Sequence, residues 1–397
     1  MSIVPVFRGV VASLLLSLSM VGCQSSPTIS VPNATDQKAT LALVNGTLID
    51  GTGAEPVSNA VILIAGDRIL AVGSQKTLVV PAGVRTLDVA GATLLPGFIN
   101  AHIHRGFDKT NLQAWAQAGV TTVRDESASV AQVAGLKTLR AGIEADPHYA
   151  RLVSAGTMLT VPGGYGYLSV SSPEEARQKV FDELDAGADM IKVSLEDGYA
   201  GTQGLPKLTP EELQAIVEAA HSRGRLVSGH ITQATYIQPM LDAGVDDIAH
   251  LPYDYISPAT LQQMVDQGVY LTPTFTVFRN YGAPVSMLVQ NLKRFVELGG
   301  KVALGNDYGG GPGDFELGLP LYEIQSMRLA GMTPMQIIVA CTKNAAHVSQ
   351  VENEVGTLEP GKFAVILVLG GNPLDDLQAL TNMRIVIHSG MIIRNDT

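Results

Sequence analysis

Two histidines, His102 and His104, end a stretch of mostly apolar residues that begins at Leu94 and contains a Pro-Gly turn. Residues i and i+2 of a β-strand point to the same face, so both imidazoles would enter one small volume. Imidazole nitrogens that converge in this way are natural zinc ligands. His-x-His also occurs in strands without a metal, so the interpretation depends on the rest of the chain.

The sequence around this pair alternates between short apolar segments and helical segments. Strands are predicted at residues 98–104, 121–124, 151–155, 190–195, 226–230, 247–250, 270–275 and 302–306. Six glycines precede strands, where a helix C-cap belongs: Gly119, Gly187, Gly224, Gly244, Gly268 and Gly300. Strand–helix units repeated in this way predict an α/β fold, namely a (β/α)₈ TIM barrel.

Polar side chains fall at the predicted ends of these strands, which is where the chemistry of such a barrel gathers. They are His102 and His104 on the first strand, Lys192 on the fourth, His230 on the fifth, His250 on the sixth and Asp307 after the eighth. One histidine at a strand end would be interpreted as a core residue. Four of them, with an aspartate and a lysine, indicate a metal site instead.

Both ends of the chain have a different pattern, with short strands and tight turns such as Asn45-Gly46. Residues 41–95 and 350–397 are predicted to build one small β-sandwich from both termini. The barrel domain would then occupy residues 96–349.

The N-terminus has the pattern of an export signal. Arg8 is followed by an apolar run of about a dozen residues, too short to span a bilayer, which ends at Cys23. Residues 1–23 resemble a bacterial lipoprotein signal with Cys23 as the lipidated residue, and residues 24–40 a polar tether. A plain secretory signal is the alternative, and either one predicts export to the periplasm or the outer membrane.

The amino-acid composition limits the classes of binding partner. The formal net charge is -11, from 26 basic and 37 acidic residues, and no basic run is present. This pattern excludes nucleic acid as a partner and favours a small-molecule substrate. The only membrane contact expected is through the N-terminal lipid, and the sequence is compatible with a homo-oligomer.

The motifs in barrel order resemble those of the amidohydrolase superfamily, most closely its imidazolonepropionase-like and Xaa-Pro dipeptidase-like branch. The resemblance runs from about Leu41 to Arg394 and includes the strand-end residues above. Further matching motifs lie at residues 119–125, 330–334, 342–346 and 356–362.

The resemblance implies a binuclear site with two divalent metal ions, zinc being the expected metal. His102, His104 and Asp307 would hold one ion, and His230 and His250 the other. Lys192 would carry a CO₂-derived carbamate that bridges the two ions, and a metal-bridging hydroxide would attack the substrate with Asp307 as proton shuttle. The alternatives are an ammonium on Lys192 that pairs with a carboxylate, and a turn or helix N-cap role for Asp307.

Three positions depart from the branch. The loop after strand three has Tyr165 and Tyr167 where a Gly-Gly-His-Gly motif is usual, Thr232 replaces a second histidine, and residues 364–365 replace an Ala-Asp motif. Tyr165 and Tyr167, together with Tyr253 and Arg279 after strands six and seven, are candidate substrate contacts.

The function expected from this pattern is cleavage of amide C–N bonds, in dipeptides or N-acyl amino acids. A deaminase or cyclic amidine hydrolase of the same superfamily is a second candidate, although Gln233 occupies the position of the deaminase glutamate. Ester, lactone and phosphotriester hydrolysis also fit such a site. A lipid-anchored binding protein without turnover is the alternative from another class.

Overall fold

The computed structural model describes Met1 and residues 38–198, 203–310 and 316–396. The predicted signal, Cys23 and the tether up to residue 37 lie outside the described residues. Within the described ranges, none of the helices has both the length and the apolar composition that a bilayer crossing requires.

The strands, in chain order, are β1 (Leu41–Leu48), β2 (Val57–Ala65), β3 (Arg68–Ser74), β4 (Arg85–Asp88), β5 (Thr93–Pro96), β6 (Phe98–Ile103), β7 (Val120–Asp125), β8 (Arg151–Ser154), β9 (Leu159–Thr160), β10 (Leu168–Ser169), β11 (Ile191–Ser194), β12 (Val227–His230), β13 (Asp247–Ala249), β14 (Tyr270–Thr272), β15 (Lys301–Val302), β16 (Ile366–Leu369), β17 (Met383–His388) and β18 (Met391–Asn395).

The α-helices are α1 (Lys109–Gln117), α2 (Val130–Ile143), α3 (Pro173–Ala186), α4 (Pro210–Ser222), α5 (Ile237–Ala243), α6 (Pro258–Asp266), α7 (Phe275–Asn280), α8 (Val285–Glu297), α9 (Leu321–Leu329), α10 (Pro334–Val339) and α11 (Ala345–Val348). Short 3₁₀ segments occupy Ala234–Tyr236 and Leu377–Thr381, and a π-helical turn occupies Ala340–Asn344.

Eight parallel strands form the barrel, in the order β6, β7, β8, β11, β12, β13, β14 and β15. Three hydrogen bonds join the last segment to the first: Ala101 N–H donates to the Leu304 carbonyl at 2.7 Å, Asp307 N–H donates to the His102 carbonyl at 2.9 Å, and His104 N–H donates to the Tyr308 carbonyl at 2.7 Å. Asp189 N–H bridges the gap between β8 and β11 by donating to the Ser154 carbonyl at 2.8 Å. The predicted barrel is confirmed.

The helix ends follow local sequence signals. Thr209 and Glu212 form a capping box at the start of α4, where Pro210 is the first helical residue. Gly187 and Gly244 end helices in the left-handed conformation. Before β15 the prediction is wrong by one residue, because Gly299 rather than Gly300 has the positive φ, +88°. A Cβ on Gly300 would lie 2.5 Å from the Phe295 ring, so close packing requires that glycine.

The β-sandwich predicted from both termini corresponds to one hydrogen-bonded sheet, to which both chain ends contribute strands. Its order is β18-β17-β16-β5-β1-β2-β3, with β4 paired to the free part of β1. The N-terminal and C-terminal halves meet where β5 and β16 pair antiparallel, with Leu95 opposite Leu367. Buried side chains from both halves, including Leu43, Ile62 and Ile387, share one apolar core.

His388 connects this sheet to the barrel domain. The residue is 7% exposed, and its Nδ1 lies 2.6 Å from the Pro147 carbonyl, which accepts the N–H. Burial lowers the pKa of His388 to about 4. The imidazole is therefore neutral in the folded protein over a pH range in which an unfolded chain would bind a proton.

Acidification from pH 6.5 to pH 4 is expected to weaken folding through His388. In this range the unfolded state binds the additional proton, so stability falls with pH by on the order of 3 kcal/mol for this residue. Urea unfolding of wild type and His388→Gln at both pH values checks this. Equal pH slopes for the two proteins would contradict the prediction.

Candidate metal-binding active site

Three of the predicted ligands come together where the first and last barrel strands meet. His102 is the fifth residue of β6, and His104 follows its end. The Asp307 Oδ1 atom lies 3.0 Å from Nε2 of His104 and 3.4 Å from Nε2 of His102. Gly305 permits this approach, because a Cβ at that position would lie 2.6 Å from the His102 Cβ atom.

His250 joins this group from the end of β13. Its ring centroid lies 4.7 Å from that of His102, and its Nδ1 lies 3.9 Å from Asp307 Oδ2. Ligand atoms of His102, His250 and Asp307 all lie within 4.8 Å of one another. One ion could reach all three, since Zn²⁺ binds nitrogen and oxygen ligands at about 2.0–2.2 Å.

His230, at the end of β12, lies on the far side of His250. The ring centroids of these two histidines are 4.5 Å apart. The Nε2 atom of His230 and the Nδ1 atom of His102 are buried without a hydrogen-bond partner among the described residues. Such atoms are costly unless they are paired, so nitrogens in this state fit metal ligation.

The backbone is strained at the same place. His250 has φ +73° and Asp307 has φ +54°, and Thr274, whose Oγ1 lies 2.8 Å from His250 Nδ1, has φ +53°. A residue other than glycine held in the left-handed region costs on the order of 1–3 kcal/mol, and such residues cluster at functional sites.

The charge states of the imidazoles suit ligation. Burial lowers the pKa of His102, His230 and His250, so they are neutral and keep a lone pair for a metal. Burial also acts to lower the pKa of His104, but the hydrogen bond to Asp307 raises it to about 9. A metal ion bound to His104 would therefore displace a proton.

Lys192 contacts a carboxylate that the sequence analysis did not identify. Its Nζ lies 2.5 Å from Glu126 Oε2 and 3.5 Å from Ser228 Oγ. This contact corresponds to the alternative stated for Lys192, namely an ammonium that pairs with a carboxylate. Glu126 comes directly after Asp125 at the end of β7, so a second acid at a barrel strand end was the available signal.

Glu126 also belongs to a buried ionic cluster beneath the site. Its Oε1 lies 2.7 Å from Arg124 Nε, and an Nη atom of Arg124 lies 2.5 Å from the Asp247 carboxylate. Four charged groups form this cluster, and each is at most 2% exposed: Arg124, Lys192, Glu126 and Asp247. Their formal charges sum to zero.

A second carboxylate missed from the sequence, Glu196, follows β11. It is 1% exposed, and its Oε2 lies 2.5 Å from the Thr232 hydroxyl and 3.7 Å from Nε2 of His230. Its Oε1 accepts the Gly198 N–H at 3.0 Å. The acidic pair Glu196-Asp197 at a strand end was the sequence signal for it.

The group opens into a cleft of about 690 Å³. Its lining includes His104, His230, His250 and Asp307, with Tyr165, Tyr167 and Phe278 above them. Tyr165 stacks on His230, with ring centroids 4.6 Å apart. Tyr167 is 71% exposed at the rim.

Two of the candidate substrate contacts, Tyr253 and Arg279, are absent from the described residues that line this cleft. The Arg279 guanidinium lies over the Tyr322 ring at 3.9 Å, which is a packing contact. The four remaining histidines also lie outside the group: His148, His221, His347 and His388.

Comparisons with known proteins give the family and the fold. A profile of the amidohydrolase family matches residues 93–392. An ochratoxinase from Aspergillus niger is 26% identical over 430 residues, covering 89% of this chain and 86% of that protein. An adenine deaminase from Rubrobacter xylanophilus is 24% identical over 362 residues, covering 87% of this chain but 56% of that protein.

Among solved structures, a Xaa-Pro dipeptidase with bound methionine in its active site has the same fold. The TM-score is 0.78 at 24% identity, and the match covers 89% of this chain and 100% of that chain.

Proposed function

The chain belongs to the amidohydrolase family, and from this premise we propose that it cleaves the amide bond of dipeptides or N-acyl amino acids in a metal-dependent reaction. Hydrolysis of C–N bonds is the activity class of the family match and of the relatives. The observation that supports metal dependence is the group formed by His102, His250 and Asp307 at the C-terminal edge of the barrel.

These residues would hold a divalent ion, with His104 beside Asp307 as a further ligand. Such an ion, when bound, supplies Lewis-acid chemistry that acidifies water and polarises a carbonyl group. Zinc suits a set of imidazoles and one carboxylate. The Nζ atom of Lys192 lies 2.5 Å from Glu126 Oε2. A carbamate on Lys192 would instead offer two anionic oxygens to a bound ion.

Asp307 moves the proton in the proposed reaction. Its Oδ1 lies against His102 and His104, whereas its Oδ2 is 3.9 Å from His250 Nδ1. Oδ2 is therefore the atom placed to take a proton from the attacking water and to return it to the departing amine nitrogen. General acid–base transfer of this kind contributes about 10²–10⁴-fold to a rate.

The cleft supports a small substrate. Its volume of about 690 Å³ lies in the range of small-molecule sites and suits a dipeptide. Tyr165 and Tyr167 present aromatic faces and hydroxyl groups at the entrance, where they can contact a substrate side chain or its terminal charge.

A deaminase is the second candidate, and the adenine deaminase relative is the observation that favours it. Deamination needs a proton shuttle near the strand-five histidine, where this chain has Gln233. The Gln233 amide donates to the Asp197 carboxylate at 3.2 Å. An amide cannot exchange protons near neutrality, so amide hydrolysis is the better-supported reaction.

A substrate screen tests the proposal. The purified chain with zinc is assayed on dipeptides, N-acyl amino acids, an aryl ester and adenine. We expect turnover of at least one amide class, lost after treatment with a chelator and restored by zinc. Deamination of adenine without amide cleavage would favour the second candidate. Metal binding with no turnover would favour a binding protein.

We also propose export with lipid attachment at Cys23, which the pattern of residues 1–23 supports. Wild type expressed in a Gram-negative host is expected in the membrane fraction, and Cys23→Ala is expected to lose the label of a radioactive fatty acid. Retention of the label in Cys23→Ala would contradict lipidation at this residue.

A further inference from the structure

We propose that Arg105 is a specificity-determining residue whose guanidinium binds a carboxylate of the substrate in the cleft. The inference rests on the proposed function, since it concerns the substrate of the same amide hydrolysis. It also selects between the two substrate classes named above. The cleft suits an N-acyl amino acid, which has a carboxylate and no ammonium, better than a dipeptide with a free amino group.

Arg105 is an exposed arginine in the lining of the cleft. It follows His104 directly along the chain. Its Nε donates to the carbonyl of Gly309, two residues after Asp307, at 3.2 Å. The side chain is thus tied to the chain beside two of the proposed metal ligands, by a covalent link at one and a hydrogen bond at the other. The guanidinium is therefore held at the edge of the metal group.

The backbone and the packing around Arg105 restrict its side chain further. The residue has φ +65°, and its carbonyl accepts the Asp108 N–H at 3.2 Å and an Asn111 side-chain N–H at 3.3 Å. Gly310 packs on the stem, because a Cβ at that position would lie 3.4 Å from Arg105 Cγ. A side chain held in this way loses little conformational freedom when it binds a ligand.

The positive charge of Arg105 is not neutralised by the protein. Among the described residues, no carboxylate pairs with the guanidinium, and its one hydrogen bond is that from Nε to Gly309. Carboxylates are plentiful in a chain with a net charge of -11, so the lack of a partner is specific to this position. The Nη donors form a planar fork that matches the two oxygens of a carboxylate. They are available to a ligand.

The acidic residues of the cleft offer no comparable partner for an ammonium. The described lining contains two carboxylates, Asp125 and Asp307, and Asp307 belongs to the metal group. Asp125 is 1% exposed, and its two oxygens accept the Gly106 N–H at 2.8 Å and the Ser127 N–H at 3.2 Å. A free ammonium in the cleft would therefore lose water and meet the like charge of Arg105 without gaining an anionic partner.

The rest of the lining suits the uncharged acyl end of such a substrate. Tyr165, Phe278 and Tyr281 contribute aromatic rings, which cover apolar groups well. The Nδ2 atom of Asn280, also in the lining, is buried without a hydrogen-bond partner among the described residues. An oxygen of the ligand would satisfy this donor. A cation, an unused N–H donor and apolar surface together complement an N-acyl amino acid.

Matched sets of compounds test the inference, one set each for leucine, phenylalanine and proline. Each set contains the N-acetyl amino acid, its carboxamide and the glycyl dipeptide. The carboxamide lacks the negative charge, and the glycyl dipeptide differs from the N-acetyl compound by one ammonium group. Release of the amino acid, or of its amide, is followed by chromatography with zinc-loaded protein.

The proteins compared are wild type, Arg105→Met, Arg105→Lys and the control Arg225→Met. Arg225 is also an exposed arginine for which no carboxylate partner is found among the described residues. It precedes β12, whereas His230 lies at the other end of that strand, so Arg225 is remote from the cleft. The control therefore removes the same charge from the opposite face of the barrel.

Wild type is expected to prefer each acid to its carboxamide by about 10–100-fold in kcat/KM, as for a hydrogen bond to a charged group. Arg105→Met should lose this preference through a higher KM at nearly unchanged kcat, because the contact is the same in the substrate and the transition state. Arg105→Lys should keep part of it and Arg225→Met all of it. Added salt should raise KM for the acids only. The N-acetyl compounds should be cleaved faster than the glycyl dipeptides.

Three results would overturn the inference: equal kcat/KM for acids and carboxamides in wild type, a preference that Arg105→Met retains, or faster cleavage of the glycyl dipeptides. Each of these leaves amide hydrolysis itself intact. If no compound is cleaved, the proposed function is rejected, and calorimetric binding of the N-acetyl amino acids and their carboxamides decides the role of Arg105. Tighter binding of the acids that is lost in Arg105→Met supports that role, and equal binding overturns it.

Discussion

Replacing Asp307 by asparagine is expected to lower kcat/KM on the best amide substrate by about 10⁴-fold or more. The change removes a negative ligand from the group with His102 and His250 and removes the atom that exchanges a proton. General acid–base transfer alone accounts for about 10²–10⁴-fold, and the lost ligand adds to it. Steady-state kinetics with zinc in excess measures the effect.

Asp254→Asn is the matched control for Asp307. Asp254 is also a carboxylate beyond a barrel strand end, but its Oδ1 accepts the Ala234 N–H at 2.7 Å and takes no part in the metal group. This variant should stay within about tenfold of wild type. An Asp307→Asn enzyme with comparable activity would exclude Asp307 as the proton shuttle.

Arg124→Met is expected to lower the free energy of unfolding by roughly 3–5 kcal/mol, the cost of leaving buried charges unpaired. Arg124 is fully buried and serves both Glu126 and Asp247, and its Nη1 donates to the Val348 carbonyl at 2.9 Å. Methionine fills part of the volume but leaves one cation for two carboxylates. Urea denaturation at pH 7 measures the change.

Two further variants serve as controls for the effect of Arg124→Met on stability. Arg177→Met breaks the exposed pair with Glu218 and should cost less than about 1 kcal/mol. Arg124→Met/Asp247→Asn removes the excess charge and should recover part of the loss. If Arg124→Met matched Arg177→Met, the buried cluster would contribute little to stability.

The barrel and the grouping of its histidines follow from the sequence for a physical reason. Strand ends of a closed barrel share one edge, so residues that end different strands must meet there. Strand position alone was enough to place four residues: His102, His230, His250 and Asp307. Their contacts with one another depend little on side-chain rotamers, because imidazoles and a short carboxylate have limited reach.

Glu126 and Glu196 could not be assigned in the same way. Each follows a strand by sequence, but its role depends on which cation or histidine its longer side chain reaches. The partner of Lys192 is set by a carboxylate 66 residues earlier in the chain, and no local pattern links the two. The same holds for Gly300, since only the folded chain brings the Phe295 ring to within 2.5 Å of a Cβ at that position.

The pairing of β5 with β16 has a consequence for how the chain is made. Residues 41–96 leave the ribosome long before residues 366–395, which supply the neighbouring strand. Until then the nascent chain carries an unfinished sheet with Leu94 and Leu95 at its open edge, the type of surface on which chains associate. The sheet therefore cannot be completed until the last segment has been made, and a chaperone that covers this edge in the meantime would reduce association between chains.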